Sequence, residues 1–154
     1  MSPSATGTKP LHARTVHRLA AVRAVLGDFG YDGDLAVAAW LHDVLEDTAV
    51  TKDELEAEFG AKVTDLVWAV TGIGASRKER NADIYRKIAL HPPAVVLELA
   101  DRIANVEASA GTDFLAVYHF EHPEFRARLD GFLTDQPTVS RMWDRLDTAF
   151  TVPE

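Results

Sequence analysis

WLHDVLEDT, residues 40–48, is the most informative stretch of this chain. It ends an apolar run typical of a buried helix. Four ionisable side chains then follow within six positions: His42, Asp43, Glu46 and Asp47. Residues four apart share a face of a helix, so His42 lies above Glu46 and Asp43 lies above Asp47. This arrangement beside an apolar helix is costly unless a cation or a proton compensates the charges.

The length and composition predict one globular domain. The chain has 154 residues, with 47% hydrophobic and 26% charged residues, which is ordinary for a folded domain with its own core. No apolar run approaches the roughly 18 residues that span a bilayer, and the N-terminus lacks a secretory signal. With no cysteine, disulfides and thiolate metal sites are excluded, and a cytoplasmic location is expected. We expect residues 1–10 to be flexible and residues 11–154 to form the domain.

The net charge of −8 limits the kinds of partner. A nucleic-acid duplex or an anionic membrane requires a basic surface, so neither is expected. A small phosphorylated nucleotide is compatible with this charge, because a divalent cation and a few local arginines or lysines can hold phosphates. The sequence does not predict the oligomeric state.

The spacing of apolar residues predicts an all-α bundle of about seven or eight helices, and no alternating strand pattern occurs. Asp34 is a candidate N-cap for a helix over residues 35–46, and Thr51 with Glu54 predicts a capping box. Residues 94–108 predict a further helix. Residues 112–120 and 123–133 are interpreted as two helices whose aromatic residues, Tyr118, Phe120, Phe125 and Phe132, belong to the core. Met142 and Trp143 are expected in the core rather than in a dimer interface.

A second polar motif, LADRIAN, occupies residues 99–105. Asp101 and Asn105 share a helix face, and a carboxylate in so apolar a helix needs a partner. A separate basic cluster, Arg77, Lys78 and Arg80, has two interpretations that the sequence leaves open: a solvated helix start, or a surface that faces phosphates.

We take His17, His42, Asp43 and Asp101 as a candidate metal-ligand set from three helices, with His12 as the competitor for the first position. Such nitrogen and oxygen donors suit Mn²⁺, Fe²⁺ or Co²⁺, and zinc is compatible. A bound ion would make water a usable nucleophile near neutral pH. Glu46 is the first candidate for general base, with Asp47 beside it. Asn105 would contact substrate or a ligand carboxylate.

A histidine in a first helix, then LHDVLEDT, then LADRIAN resembles the HD-domain metal-dependent phosphohydrolases. The Glu-Asp pair and the segment TKDELEAEFGAKVTDLVWAVT, residues 51–71, resemble more closely the hydrolase domain of RelA/SpoT-type alarmone enzymes and their small stand-alone relatives. The resemblance covers residues 16–106. It implies an all-α fold, a Mn²⁺ ion and hydrolytic removal of the 3′-pyrophosphate from (p)ppGpp.

The resemblance also implies roles for individual residues. His17, His42, Asp43 and Asp101 would be metal ligands, Glu46 and Asp47 would activate water, and Asn105 would face the substrate. Arg77, Lys78 and Arg80 fall in the region that would face phosphates. Three features differ from the family: only sixteen residues precede His17, Glu98 stands where relatives usually have lysine, and residues 76–87 have an unusual sequence.

Three other functions remain open. The first is hydrolysis of another phosphorylated nucleotide, such as NADPH or a pathway-specific nucleoside phosphate. The second is a non-catalytic nucleotide or metal sensor, and the third is a structural helical module without metal. The presence of Glu46 and Asp47 favours an enzyme, because binding alone requires no general base.

Overall fold

The computed structural model describes the backbone of residues 4–151 and the side chains of residues 16–151. This part of the chain forms nine helical segments and no strand, which confirms the all-α class. The segments are α1 (Ser4–Asp28), α2 (Asp34–Leu41), α3 (Val44–Asp47), α4 (Lys52–Phe59), α5 (Ala61–Ala69), α6 (Arg77–Leu90), α7 (Ala94–Ala108), α8 (Leu115–Leu129) and α9 (Pro137–Thr151). None of the described helices has the length and apolar character needed to cross a membrane.

Helix α7 lies at the centre of the bundle. It packs against α1, α5 and α9, and eleven of its fifteen residues are buried. Leu97, Leu99 and Ile103 are fully inaccessible to solvent. A helix that is apolar on almost every side is expected at the centre of a bundle. Asp101 and Asn105 are partly exposed positions on this helix, and both line a cavity.

The His-Asp motif interrupts a helix. The sequence predicted one helix over residues 35–46, whereas the structure ends α2 at Leu41 and starts the short α3 at Val44. The break keeps His42 close to helical backbone geometry, with φ −64° and ψ −20°, while Asp43 has φ −99° and ψ −1°. The two side chains can therefore face the same point.

The predicted helix caps have mixed outcomes. Thr51 forms the predicted capping box, because its hydroxyl accepts from the Glu54 N–H and the Glu54 carboxylate accepts from the Thr51 N–H. The prediction that Asp34 caps α2 is wrong. Gly33 occupies the cap position, with a left-handed φ of 62°, and Asp34 is the first helical residue.

The prediction for residues 112–133 is also partly wrong. One helix, α8, replaces the two expected helices and contains Pro123. Phe120 is 87% exposed rather than in the core, whereas Tyr118 and Phe125 are buried on the other side of the same helix. Met142 and Trp143 are buried in α9, as predicted.

Candidate active site

His42, Asp43 and Asp101 meet where α2, α3 and α7 approach each other. The His42 Nε2 atom lies 3.2 Å from Asp101 Oδ1 and 3.4 Å from Asp43 Oδ1. The opposite ring nitrogen, Nδ1, lies 2.8 Å from the Ala39 carbonyl oxygen. If Nδ1 donates to that carbonyl, Nε2 is the nitrogen free to bind a cation or a second proton.

The three side chains form a charged cluster that requires a positive partner. Burial alone would lower the pKa of His42, but the carboxylates of Asp101 and Asp43 outweigh it and raise the pKa to about 10. Burial alone would raise the pKa of Asp101, but His42 brings it below its ordinary value. Burial raises the pKa of Asp43, and His42 and Arg18 offset this only in part. Without a metal, a proton on His42 compensates the charge of one carboxylate, and Arg18 pairs with the other.

The donor set fits a divalent ion in its chemistry. One imidazole nitrogen and two carboxylates supply mixed nitrogen and oxygen ligands with enough negative charge to balance the ion. Within residues 16–151, however, no three such side chains surround a common point as a complete ligand set. Arg18 donates to Asp43 Oδ2, so a cation at Asp43 would compete with this guanidinium. A metal at this cluster would therefore have to displace Arg18 from Asp43.

No described hydrogen bond or ion pair joins His17 to the cluster. His17 lies on α1 with an exposed side chain. Its neighbour Arg18 makes that contact with Asp43 instead. The ligand role of His17 therefore stays a prediction.

The two predicted water-activating carboxylates have different surroundings. Glu46 lines the same cavity as the cluster, and its Oε2 accepts the Gly72 N–H at 2.8 Å. Burial raises the pKa of Glu46, the Gly72 hydrogen bond opposes the rise, and nearby carboxylates add to it. Asp47 lies outside this cavity and lines a neighbouring one, together with Lys52 and Trp68.

The cavity beside the cluster has a volume of about 460 Å³, which is within the usual range for small-ligand sites. Its acidic residues are opposed by four arginines: Arg18, Arg77, Arg80 and Arg102. Two of the three predicted phosphate-facing residues, Arg77 and Arg80, are thus at the cavity. Lys78 is exposed and does not line it.

Glu121 positions two of these arginines. Its carboxylate lies 2.6 Å from Arg77 Nε and 2.8 Å from Arg102 Nη1. The Arg77 guanidinium also lies 5.4 Å from the centre of the Tyr118 ring, which lines the cavity. The role of Glu121 could not be found from the sequence, because α8 carries no motif there.

Asn105 supports Asp101 rather than standing free in the cavity. Its Nδ2 donates to Asp101 Oδ1 at 3.0 Å and to the Asp101 carbonyl oxygen at 2.8 Å. Asn105 therefore contacts the carboxylate of Asp101, the predicted metal ligand. Its contact with a substrate stays a prediction.

Glu98 is a further acidic residue of the cavity, and sequence analysis did not include it in the site. It is only 5% exposed, and burial raises its pKa to about 8, with Asp101 adding to the rise and Arg102 and His42 opposing it. The sequence feature that could have indicated a role for Glu98 is that the resembled family usually has lysine at this position.

A family model described as "HD domain" matches residues 4–115, which include the His-Asp pair and Asp101. The chain belongs to the HD-domain family. This confirms the family resemblance.

Curated relatives of this HD-domain protein carry one recurrent name. Proteins of Aquifex aeolicus and Vibrio cholerae, each named guanosine-3′,5′-bis(diphosphate) 3′-pyrophosphohydrolase, are 41% and 36% identical over 53% and 59% of this chain. The aligned stretch covers only 12% and 14% of those two proteins. The chain therefore spans about an eighth of the length of the curated relatives it matches.

A solved structure supports the fold. The crystal structure of lmo0812 from Listeria monocytogenes EGD-e superposes with a TM-score of 0.63, covering 86% of this chain and 95% of that one. The two sequences are 20% identical, so the likeness concerns the helical architecture alone.

Proposed function

We propose that this HD-domain protein is a metal-dependent phosphohydrolase that removes the 3′-pyrophosphate from guanosine 3′,5′-bis(diphosphate). The observation that carries the proposal is the meeting of His42 Nε2 with Asp43 and Asp101 at a cavity lined by arginines. The names of the relatives that match this stretch support the substrate. We expect the protein to act in the cytoplasm on this small nucleotide, without a nucleic-acid or membrane partner.

The metal-binding part of the proposal uses the predicted ligand set. His42, Asp43 and Asp101 would hold Mn²⁺, with His17 as the fourth ligand. When bound, such an ion would lower the pKa of water and stabilise charge that develops on the phosphoryl oxygens. The hydrogen bond from His42 Nδ1 to Ala39 would keep the imidazole oriented, as outer partners of metal-binding histidines do.

The remaining side chains would bind the substrate or transfer protons. Glu46 would take a proton from the attacking water, and Asp47 would assist from the next cavity. Arg77 and Arg80 would bind phosphate oxygens, with Lys78 at the outer edge. Asn105 would hold Asp101 and contact the substrate.

A second candidate is hydrolysis of another phosphorylated nucleotide, such as NADPH or a nucleoside phosphate. Glu98 favours this alternative, because a buried carboxylic acid lines the cavity where the resembled family has lysine. A non-catalytic nucleotide-binding protein is the third candidate. It is the weakest of the three, since binding would not require the Glu46 carboxylate in the cavity.

The test is release of phosphate or pyrophosphate from a panel of nucleotides by the purified protein with Mn²⁺. We expect guanosine 3′,5′-bis(diphosphate) to be the best substrate. Asp43→Ala and Asp101→Ala should each lower kcat/KM at least about 100-fold, since even partners one step removed from a metal are worth up to that much. Asp32→Ala, at an exposed position between α1 and α2, is the matched control.

Each part of the proposal can fail separately. Normal turnover by both Asp43→Ala and Asp101→Ala would reject the metal-dependent mechanism. Stronger turnover of NADPH or another nucleotide would reject the substrate but keep the reaction class. Tight nucleotide binding without any turnover would favour the binding protein. Loss of the Mn²⁺-induced thermal shift in Glu46→Gln would reject its assignment as a base.

A further inference from the structure

A second cavity adjoins the one beside the charged cluster. Its volume of about 470 Å³ is close to that of the first cavity and is large enough for a small ligand. Among the described residues, Glu46 and Arg80 are the two that line both cavities. A ligand in the second cavity would therefore contact residues of the candidate active site without occupying the place of the substrate.

The second cavity offers a surface for a flat ring. Trp68 lines it, and two apolar residues at the same cavity, Val50 and Ile73, are 37% and 59% exposed. Exposed apolar residues grouped around a cavity are typical of ligand-binding surfaces. Because the face of an indole stacks with any nucleobase, Trp68 suits a ligand that contains an aromatic ring.

Contacts with the core help to hold the Trp68 ring in place. Lys87 is buried, and its Nζ atom lies 3.6 Å from the centre of the ring. The same atom lies 2.9 Å from Asp83 Oδ2 and donates to the Thr71 carbonyl oxygen at 2.7 Å. A surface that is formed before the ligand arrives loses less conformational entropy on binding.

Two basic side chains at the second cavity have no carboxylate partner among the described residues. The Lys52 ammonium lies 5.0 Å from the centre of the Trp68 ring, and Arg80 donates to the Gly74 carbonyl oxygen at 3.4 Å. Within residues 16–151, neither forms an ion pair. The other three arginines of the first cavity each pair with a carboxylate. Lys52 and Arg80 are therefore available to bind an anion.

We propose that the second cavity binds a nucleoside diphosphate, whose base stacks on Trp68 and whose phosphates contact Lys52 and Arg80. The base would replace the Lys52 ammonium at the indole, and that ammonium would turn to a phosphate oxygen. The carboxylates of Glu46 and Asp47, which line this cavity, can accept hydrogen bonds from the N–H groups of a base. A nucleotide carries a ring, N–H donors and phosphates in one molecule, so it matches all three parts of the lining.

The identity of the nucleotide rests on the proposed function. Removal of the 3′-pyrophosphate from guanosine 3′,5′-bis(diphosphate) leaves guanosine 5′-diphosphate, so the reaction itself would supply the ligand. Because Arg80 lines both cavities, phosphates in the two cavities would compete for the same guanidinium. The product in the second cavity would therefore weaken binding of the substrate in the first, and this coupling is reciprocal.

The first test measures binding without turnover. Guanosine 5′-diphosphate is titrated into the full chain in the presence of EDTA, and tryptophan fluorescence is recorded. Of the three tryptophans, only Trp68 lines either cavity, so a stacked base should quench the emission of Trp68 alone. Lys52→Ala should raise the Kd about 10-fold, because it removes a charge-assisted hydrogen bond. Lys62→Ala, at an exposed position on the same helix as Trp68, is the matched control and should leave the Kd unchanged.

Guanosine is the matched probe without phosphates. Its Kd should be higher than that of guanosine 5′-diphosphate and should be the same in the wild-type protein and in Lys52→Ala. In steady-state hydrolysis with Mn²⁺, the concentration of guanosine 5′-diphosphate that doubles KM should be about 10-fold higher in Lys52→Ala than in the wild-type protein. Without added product, kcat and KM should be unchanged, because Lys52 does not line the first cavity.

The outcomes separate the second site from the proposed function. Fluorescence that guanosine 5′-diphosphate does not quench would overturn the second site, as would quenching that persists in Trp68→Phe. Equal Kd values in Lys52→Ala and Lys62→Ala would also overturn it, and this comparison decides the matter if Trp68→Phe fails to fold, because both lysines are exposed. Equal inhibition of the wild-type protein and Lys52→Ala would overturn the coupling between the cavities. Quenching in a protein that hydrolyses no nucleotide would support the second site and reject the proposed function, whereas hydrolysis without quenching would do the reverse.

Discussion

Asp83 shows how one carboxylate can join a helix to a loop. Its Oδ2 accepts the Ile73 N–H at 3.0 Å and lies 2.9 Å from Lys87 Nζ. Lys87 is buried, donates to the Thr71 carbonyl oxygen at 2.7 Å and lies 3.6 Å from the centre of the Trp68 ring. The Asp83 carboxylate therefore supplies the negative charge that a buried ammonium requires.

Asp83→Asn should destabilise the protein in a pH-dependent way. Burial alone would raise the pKa of Asp83, but Lys87, Arg86 and the Ile73 N–H lower it. A lowered pKa in the folded state means that the stabilisation is complete above about pH 4 and is lost as the pH falls through the folded-state value. We expect the variant to lose about 3 kcal/mol of unfolding free energy at pH 7.

Urea unfolding at several pH values checks this prediction. The difference between the wild-type protein and Asp83→Asn should shrink as the pH falls below about 4, because the wild-type carboxylate is then protonated as well. Asp144→Asn, at an exposed position on α9, should change stability little at any pH. A constant difference across the whole pH range would contradict the ion-pair explanation.

At the scale of single residues, the sequence predicted the parts of the site that follow from local spacing. Asp101 and Asn105 share a helix face and do form a hydrogen bond. The contact of Arg18 with Asp43, and the exposure of the adjacent His17, depend on how α1 is rotated against α2. That rotation is set by tertiary packing, which a pattern within one helix does not specify.

At the scale of elements, the connection between α5 and α6 positions the candidate base. A Cβ at Gly72 would lie 2.7 Å from the Arg80 carbonyl oxygen, so only glycine allows this close approach. The approach keeps the Gly72 N–H within 2.8 Å of Glu46 Oε2. The loop therefore holds α6, with the cavity-lining Arg80, close to Glu46 on α3.

Gly72→Ala should separate these two elements. The added methyl group must displace backbone, so we expect a loss of about 1–3 kcal/mol in stability and a decrease in kcat on the order of 10- to 100-fold as Glu46 moves. Mn²⁺ binding should persist, because no described hydrogen bond or ion pair joins the cluster at His42 to this loop. Gly131→Ala is the matched control, since nothing lies within 4 Å of its added Cβ. Wild-type kcat in Gly72→Ala would show that the loop does not position the base.

Helix boundaries were predictable where local chemistry determines them. Residues 94–108 were predicted as a helix and form α7 with the same ends, because proline precedes the helix and its apolar pattern is continuous. The two helices predicted over residues 112–120 and 123–133 were wrong, because α8 continues through Pro123. Tyr118, which precedes Pro123, and Phe125, which follows it, are both buried. Packing of the helix before and after the proline therefore supports a continuous helix, although Pro123 lacks an N–H to donate.

At the scale of the whole molecule, one packed core carries the candidate site. The His-Asp pair follows α2, Asp101 and Glu98 come from α7, and α2 and α7 both pack against α1. Because packed interiors resist small displacements, this arrangement holds side chains from distant parts of the sequence at nearly constant separations. The core also reaches the basic side of the cavity, since the Arg102 guanidinium lies 4.3 Å from the centre of the Phe125 ring.

Two phenylalanines of α8 test this connection with the same substitution. Phe125 is fully buried and makes edge contacts with Tyr85 and Trp143, whereas Phe120 is 87% exposed. Phe125→Ala should lower the free energy of unfolding by about 3–5 kcal/mol. Phe120→Ala should change it by no more than about 0.5 kcal/mol. Phe125→Ala should also raise the KM for nucleotide, because Arg102 loses the ring beneath it. Thermal unfolding and steady-state kinetics measure both effects, and equal stability losses in the two variants would contradict this assignment of the core.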